Sequence, residues 1–373
     1  MQLRHYNGLD LLRFVSALLV VFFHLSQSSG SRVAWPVAPA DAPLAWLAPV
    51  GSFGWVGVEI FFVLSGLIIS ASARGTGAWT FAKKRAIRVL PVLWLSVPLA
   101  FALRAWSGEP LGELVEAAIR SILLLPQGPY IDGVIWTLVV EAVFYAIVAL
   151  VLSVPDRFGG FERRLFVAAI AIGAVSSLFL LIHAGALALG VDGSIFNWFA
   201  FKVGLLQHGV FFTLGMLLYQ ALEGHRSAVR TALIAWFAVL SMVEIAINAL
   251  GEAGGFAAIS VWAAAVTLGY LSVRHGDRLM QGPAWAVTRP IGKLTYPLYL
   301  NHFVLGQVLV FALHPVVRDP YLLGVVVLTL LLGYALFLAI GPEPLIQRRA
   351  KERLLDGKPR MREARAVIPA FER

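Results

Sequence analysis

The chain has 373 residues, of which 59% are hydrophobic and 14% are charged, and its formal net charge is +9. Soluble domains carry about 25% charged residues, so this composition excludes a soluble globular protein and indicates an integral membrane protein. The sequence contains no cysteine, which excludes disulfides, a thiolate nucleophile and a cysteine-ligated metal.

Apolar runs long enough to cross a bilayer recur along the chain. They predict an all-α polytopic transmembrane bundle of about ten helices, near residues 9–27, 51–72, 88–105, 135–153, 165–184, 198–220, 230–250, 256–273, 292–313 and 321–341. The stretch 106–134 predicts a helix lying at the membrane interface. We expect one membrane domain over residues 1–345 and a basic cytoplasmic C-terminal tail over residues 346–373.

The basic residues explain the topology. Most of the 30 Lys and Arg residues fall on one side of the predicted membrane if the N-terminus is cytoplasmic. The positive-inside rule then predicts that both termini are cytoplasmic, as in a multi-pass protein of the cell inner membrane. The excess of basic residues is therefore explained by the orientation of the chain in the lipid bilayer, and it does not indicate a nucleic-acid partner.

The first predicted helix contains two ionisable residues, Arg13 and His24. Each costs about 2.5 to 3.5 kcal/mol in the middle of a lipid-facing helix, so such residues usually face a functional cavity. Their spacing of eleven residues is three turns plus roughly 20°, which puts them on one face about 16 Å apart. Asp10 lies near the same face and is a candidate partner for Arg13. The alternative interpretation is a polar cluster that only packs helices together.

Two carboxylates lie at a depth similar to that of His24. Counted from the outer helix ends, His24, Glu59 and Glu141 all fall within roughly 5 to 12 Å of that side. We therefore expect them to meet in one outward-facing cavity. A histidine with a carboxylate partner suits general-base catalysis, because its pKa lies near neutrality. Interhelical hydrogen bonding is the alternative for each carboxylate.

Two further groups of polar residues are candidates. Arg85 and Arg88 lie one turn apart where the third helix begins, and paired guanidiniums suit phosphate, although such a run is also an ordinary positive flank. Tyr296, Tyr299 and His302 follow at spacings of three and share a helix face. His302 is either a second acid or base, a substrate contact or a structural histidine.

Other deep polar residues give weaker signals. His208 and Glu244 lie within predicted helices, where packing is the favoured interpretation. No histidine pair has the H-E-x-x-H spacing, and no glycine run forms a P-loop. The sequence therefore predicts no metal site, no nucleotide hydrolysis and no tightly bound cofactor.

Five segments in order resemble the acyltransferase 3 family of multipass membrane acyltransferases. The matching segments are Arg13 with ten intervening residues before His24, Gly57 to Gly66, Arg85-x-x-Arg88-x-x-Pro91, Trp136 to Glu141 with Phe144-Tyr145, and Tyr296-Pro297-Leu298-Tyr299-Leu300-x-His302. Asn301 and Ala142 depart from the family pattern, and the latter weakens any mechanism that needs paired carboxylates.

The resemblance implies an O-acetyltransferase-like enzyme that transfers an acyl group, with acetyl expected, from cytoplasmic acyl-CoA to a hydroxyl of a glycan or related acceptor. It implies His24 as the essential histidine, acting as general base or accepting the acyl group itself. Arg13 would accompany His24, with Arg85 and Arg88 on the donor side. Glu141 is a further catalytic candidate, whereas Glu59, Tyr296, Tyr299 and His302 would support the site or bind the acceptor.

Two other classes of function fit buried ionisable residues. A proton-coupled or anion-coupled secondary transporter would use Arg13, His24, Glu59 and Glu141 as a pathway. Transporters often show inverted repeats and paired broken helices, and neither is evident in the sequence. A structural partner in polysaccharide export is the third possibility.

Overall fold

The computed structural model describes residues 7–26, 43–250, 254–279, 282, 285 and 287–355. These residues form helices and no strands, which confirms the predicted all-α class. The α-helices in chain order are α1 (Asn7–Ser26), α2 (Ala48–Gly54), α3 (Gly57–Ala73), α4 (Ala78–Trp106), α5 (Leu111–Ile122), α6 (Ile135–Ser153), α7 (Phe161–Ala188), α8 (Phe199–Val203), α9 (Gly209–Leu222), α10 (Ala228–Asn248), α11 (Gly255–Leu279), α12 (Thr288–Leu313), α13 (Pro320–Ile340) and α14 (Pro342–Leu354).

Helices long and apolar enough to cross a membrane number nine within the described residues. They are α1, the stretch containing α2 and α3, α4, α6, α7, α10, α11, α12, and α13 continued by α14. This confirms a multi-pass membrane protein. Helix α9 is also apolar but has only 14 residues.

The segment predicted as one helix over residues 198–220 is broken. Helix α8 ends before Gly204, Leu205 adopts a left-handed φ of 59°, and α9 begins only at Gly209. Unpaired backbone is not tolerated against lipid, but it is tolerated inside protein. Leu205, Gln207 and His208 are all buried, so the protein interior accommodates the break. The single-helix prediction was wrong because the apolar run continues through the break.

Helices α3 and α9 approach each other closely through two glycines. A Cβ on Gly66 would lie 2.3 Å from the carbonyl oxygen of Phe212, and one on Gly215 would lie 2.1 Å from that of Val63. Small residues allow such backbone contact between membrane helices. This contact fixes the position of α3, which carries Glu59 in its first turn and Ser65 near its middle.

Helices α4 and α14 meet at one end of the bundle, where α1 also begins; we call this end the basic face. Helix α4 begins at Ala78, ten residues before the predicted start, so the basic run from Lys83 to Arg88 is helical. The Arg88 side chain forms an ion pair with Glu343 at 3.1 Å, and Lys83 Nζ donates to the carbonyl of Leu354 at 2.7 Å. Helix α14 thus crosses the predicted domain boundary at residue 345, while residues 356–373 of the predicted tail lie outside the described residues.

Candidate active site

A cavity of about 480 Å³ lies at the basic face between α1, α3, α4, α6, α12 and α14. Its charged lining residues are Arg13, Lys84, Arg85, Arg88, Glu141 and Lys351. Five of these groups are basic and one is acidic, so the cavity favours an anionic ligand. The rest of the lining is mainly apolar, with several aromatic and aliphatic side chains.

The two arginines predicted to bind a donor both line this cavity. The Arg88 guanidinium is paired with Glu343 and lies 5.7 Å from the ring centre of Tyr296. Arg85 Nε is buried and has no hydrogen-bond partner in the described part of the chain. A buried donor without an acceptor is costly, so Arg85 is well placed to receive an anionic oxygen atom.

Glu141 lies in this cavity rather than beside His24. Its carboxylate accepts a hydrogen bond from Ser65, a residue that the sequence analysis did not single out. The charges of Glu141 and Asp10 both act on the buried Arg13 guanidinium. Glu141 is therefore a counter-charge for Arg13 in the structure, and the expected outer cavity containing Glu141 and His24 is not formed.

Tyr296 and Tyr299 share one face of α12, as predicted, and both line the cavity. The Tyr296 hydroxyl donates to the carbonyl of Val89 at 2.9 Å, which joins α12 to α4. The hydroxyls of Tyr299 and Thr137 are hydrogen bonded at 2.9 Å, which joins α12 to α6. Both tyrosines thus hold the walls of the cavity together.

His24 and His302 form a directly hydrogen-bonded pair. His24 Nδ1 lies 2.9 Å from His302 Nε2, and His302 Nδ1 lies 2.7 Å from the carbonyl oxygen of Tyr299. The His24 ring also packs edge-on against Phe23 and Phe303. The structure therefore brings together two histidines that the sequence analysis placed on separate helices without connecting them.

The hydrogen bonds assign the tautomers of both neutral rings. A carbonyl oxygen only accepts, so Nδ1 of His302 carries the proton and its Nε2 is an acceptor. His24 must then donate from Nδ1 to that acceptor, which leaves the lone pair of His24 Nε2 free. A fixed imidazole with a free Nε2 is what a general base or a nucleophile requires.

Tyr299 connects the histidine pair to the cavity. Its side chain lines the cavity, its carbonyl orients His302, and its ring centre lies 5.7 Å from that of His302. Arg13 lies in the cavity three turns before His24 on α1. The structure thus places the basic cavity and the histidine pair in sequence along α1 and α12.

Comparison with known proteins identifies the family of the chain. The family model described as an acyltransferase domain matches residues 6–340. The chain belongs to the acyltransferase 3 family. This confirms the resemblance drawn from the five motifs, while the roles of individual residues stay predictions.

Two relatives of this acyltransferase 3 protein are known by name. It is 27% identical over 204 residues to nodulation protein 10 of Rhizobium leguminosarum bv. viciae, which covers 48% of this chain and 52% of the relative. It is 29% identical over 164 residues to the O-acetyl transferase of Shigella phage Sf6, which covers 39% of this chain and 46% of the relative. The chain thus matches about half the length of these curated relatives, and no solved structure matches it.

Glu59 is absent from the lining of the basic cavity and from the histidine pair. It lies with His208 and Glu244, and the three residues offer atoms within 4.8 Å of one another. The similar depth of Glu59, His24 and Glu141 in the membrane predicted that the three would meet. The structure instead groups Glu59 with two residues outside that cavity, because the break before α9 brings His208 to the start of α3.

Asp132 is a buried carboxylate that the sequence analysis missed. It lies between α5 and α6, where it accepts hydrogen bonds from the backbone N–H groups of Val134 at 3.1 Å and Val304 at 3.2 Å. It therefore ties the start of α6 to α12, two residues after His302. Burial raises the pKa of Asp132 to about 6, against the opposing effect of these hydrogen bonds.

This pKa predicts a pH-dependent contribution of Asp132 to stability. Because the pKa is higher in the folded state, the protein is more stable when Asp132 is protonated, and this advantage is lost as the pH rises through about 6. A pKa shift of this size corresponds to about 3 kcal/mol in the free energy of unfolding. Asp132→Asn should therefore raise the melting temperature in detergent more at pH 7.5 than at pH 5. An equal change in melting temperature at both pH values would contradict the raised pKa of Asp132.

Proposed function

We propose that this protein transfers an acyl group, with acetyl expected, from acyl-CoA to a hydroxyl of a glycan or related acceptor. The observation that carries this proposal is the basic cavity that leads along α1 and α12 toward a histidine with a free Nε2. Family membership and the relative named O-acetyl transferase support the reaction class. Acyl-CoA would act as a co-substrate, with no tightly bound cofactor.

The cavity suits the donor in charge and in shape. Lys84, Arg85, Arg88 and Lys351 line it on the basic face and would bind the phosphates of CoA. Its inner lining of apolar side chains would accept the narrow pantetheine arm, with Arg13 deeper along the path. The thioester would then approach the histidine pair through the region of Tyr299.

Two chemical routes use the free Nε2 of His24. In the direct route, the acceptor hydroxyl oxygen attacks the thioester carbonyl, its proton passes to His24 Nε2, and the carbon–sulfur bond breaks to release the CoA thiolate, which takes that proton. In the covalent route, His24 Nε2 attacks the thioester carbonyl and the carbon–sulfur bond breaks to release the CoA thiolate; the hydroxyl oxygen then attacks the acyl group, the bond from the acyl carbon to Nε2 breaks, and the hydroxyl proton passes to the thiolate. In both, His302 is a positioning residue that fixes the His24 ring.

The proposed orientation follows the positive-inside rule. With both termini in the cytoplasm of a cell with an inner membrane, the basic face meets cytoplasmic acyl-CoA. His24 then lies near the outer side, where the acceptor would arrive. This arrangement moves only the acyl group across most of the bilayer thickness, while the charged CoA remains on the cytoplasmic side.

A labelled-donor assay tests the proposed function. Purified protein in detergent is incubated with acetyl-CoA that carries label on the acetyl group, together with candidate glycans. Label should move to a glycan with the wild-type protein and stay on CoA with the His24→Ala variant. If the label stays on CoA with the wild-type protein and every acceptor, the proposal is overturned. A secondary transporter would give that result.

A substitution at Glu141 tests its role as counter-charge to Arg13. Glu141→Gln keeps a hydrogen-bond acceptor for Ser65 but leaves the buried guanidinium with Asp10 as its remaining carboxylate. We expect a loss of stability of up to about 3 kcal/mol. Acyl-CoA should restore more thermal stability to this variant than to wild type, because its phosphates supply negative charge. A loss of kcat with unchanged thermal stability would instead link Glu141 to His24.

A further inference from the structure

A second cluster of polar residues lies apart from the basic cavity. Glu59 lies in the first turn of α3, His208 directly precedes α9, and Glu244 lies on α10. Their side chains are almost fully enclosed, with exposed fractions of 4%, 2% and 1%, respectively. One ligand-capable atom from each lies within 4.8 Å of the others, and none of the three lines the cavity.

The cluster contains polar atoms that no protein group satisfies. Glu59 Oε2, His208 Nε2 and Glu244 Oε2 are buried and have no hydrogen-bond partner among the described residues. His208 Nδ1 lies 3.2 Å from Glu244 Oε1, but not in hydrogen-bond alignment. Two charged carboxylates left this way inside a membrane protein are costly, so either a cation or bound protons must balance them.

Lys202, the basic residue whose charge acts on Glu59, is not paired with it. Lys202 Nζ lies 5.1 Å from the ring centre of Trp136, and its charge acts on Glu59 only at a distance. Within the described ranges, neither Glu59 nor Glu244 forms an ion pair with a lysine or arginine. A cation held directly by the three side chains would satisfy both the charges and the unpaired atoms.

The surroundings of the cluster orient its members. Glu244 Oε1 accepts hydrogen bonds from Asn248 Nδ2 at 2.6 Å and from Gln207 Nε2 at 3.2 Å, which fixes the carboxylate and leaves Oε2 free. The His208 ring packs against both Phe62 and Trp136, with ring centres 5.2 Å and 5.5 Å away. Metal ligands are characteristically held by such supporting contacts.

We propose that Glu59, His208 and Glu244 bind a divalent transition-metal ion. One imidazole and two carboxylates form a nitrogen and oxygen ligand set that suits Zn²⁺ or Mn²⁺. The bound ion would join α3 and α10 to the break between α8 and α9, and would hold His208 in its non-helical position. Its role is structural, because the site lies outside the cavity proposed for acyl transfer.

Metal content is the direct test. Protein produced in medium containing Zn²⁺ and Mn²⁺ should retain about one equivalent of metal per chain after purification, measured by mass spectrometry of the elements. Glu59→Gln and Glu244→Gln keep side-chain shape and should lose most of it. Asp132→Asn removes a buried carboxylate outside the cluster and is the matched control, so it should keep the metal. Metal far below one equivalent in wild type, or equal loss in the control, would overturn the site.

A second measurement needs only the wild-type protein. Removing metal with a chelator should lower the melting temperature, and adding Zn²⁺ or Mn²⁺ alone should restore it, whereas Mg²⁺ should not. An unchanged melting temperature after chelation would show that protons rather than a metal balance the two carboxylates. Because acyl transfer is not the readout, failure of this proposal leaves the proposed function standing.

Discussion

Replacement of His24 by alanine is expected to lower kcat for acyl transfer by at least about 10²-fold. His24 is hydrogen bonded to His302, and His302 to the Tyr299 carbonyl, which leaves the lone pair on Nε2 of His24 free. Either chemical route uses that lone pair, so its removal should affect every acceptor equally. The measurement is transfer of labelled acetyl from acetyl-CoA by purified protein in detergent.

The controls for His24 separate catalysis from folding and binding. His24 does not line the basic cavity, so His24→Ala should keep wild-type affinity for acyl-CoA. His302→Ala keeps His24 but removes the acceptor of its Nδ1 proton. The fall in kcat should therefore be smaller than for His24→Ala, with the KM for acyl-CoA unchanged. Activity of His24→Ala within a few-fold of wild type would rule out both routes.

Spacing along one helix predicted contacts better than depth across several helices. The eleven-residue spacing of Arg13 and His24 is a property of α1 alone, and the structure places Arg13 in the basic cavity and His24 in the histidine pair. The depth of Glu59 and Glu141 in the membrane gave no information on which neighbouring helix each side chain faces. Their actual neighbours depend on how α3 packs, through Gly66 and Gly215 against α9 on one side and through Ser65 toward α6 on the other.

Features that depend on tertiary partners were not predictable from local patterns. The break before His208 lies in an uninterrupted apolar run, and it is tolerated because neighbouring helices bury it. Helix α14 has the charge pattern of a solvated tail, yet Glu343 pairs with Arg88 and Lys351 lines the cavity. Asp132 lies in a loop whose backbone partner, Val304, is 172 residues away in sequence.

Replacement of both Arg85 and Arg88 by lysine is expected to weaken the apparent affinity for acyl-CoA by about 10-fold to 100-fold. Lysine keeps the positive charge but loses the planar fork that binds phosphate through two hydrogen bonds. Each hydrogen bond to a charged group contributes about 1.5 to 3 kcal/mol, so loss of one at either arginine accounts for this range. The affinity is measured by direct binding of acetyl-CoA to the purified variant.

The matched control uses two arginines of α14 that do not line the cavity. Arg348 and Arg349 are absent from its lining, and Arg348 is largely exposed and paired with Glu352. Changing both to lysine should leave donor affinity unchanged, because their contribution is only to the charge of the basic face. Single cysteines placed in loops can report topology, since the chain has none of its own. If the variant with lysine at Arg85 and Arg88 also keeps wild-type affinity for acyl-CoA, these two arginines serve only to orient the chain in the membrane. The donor would then need another binding site.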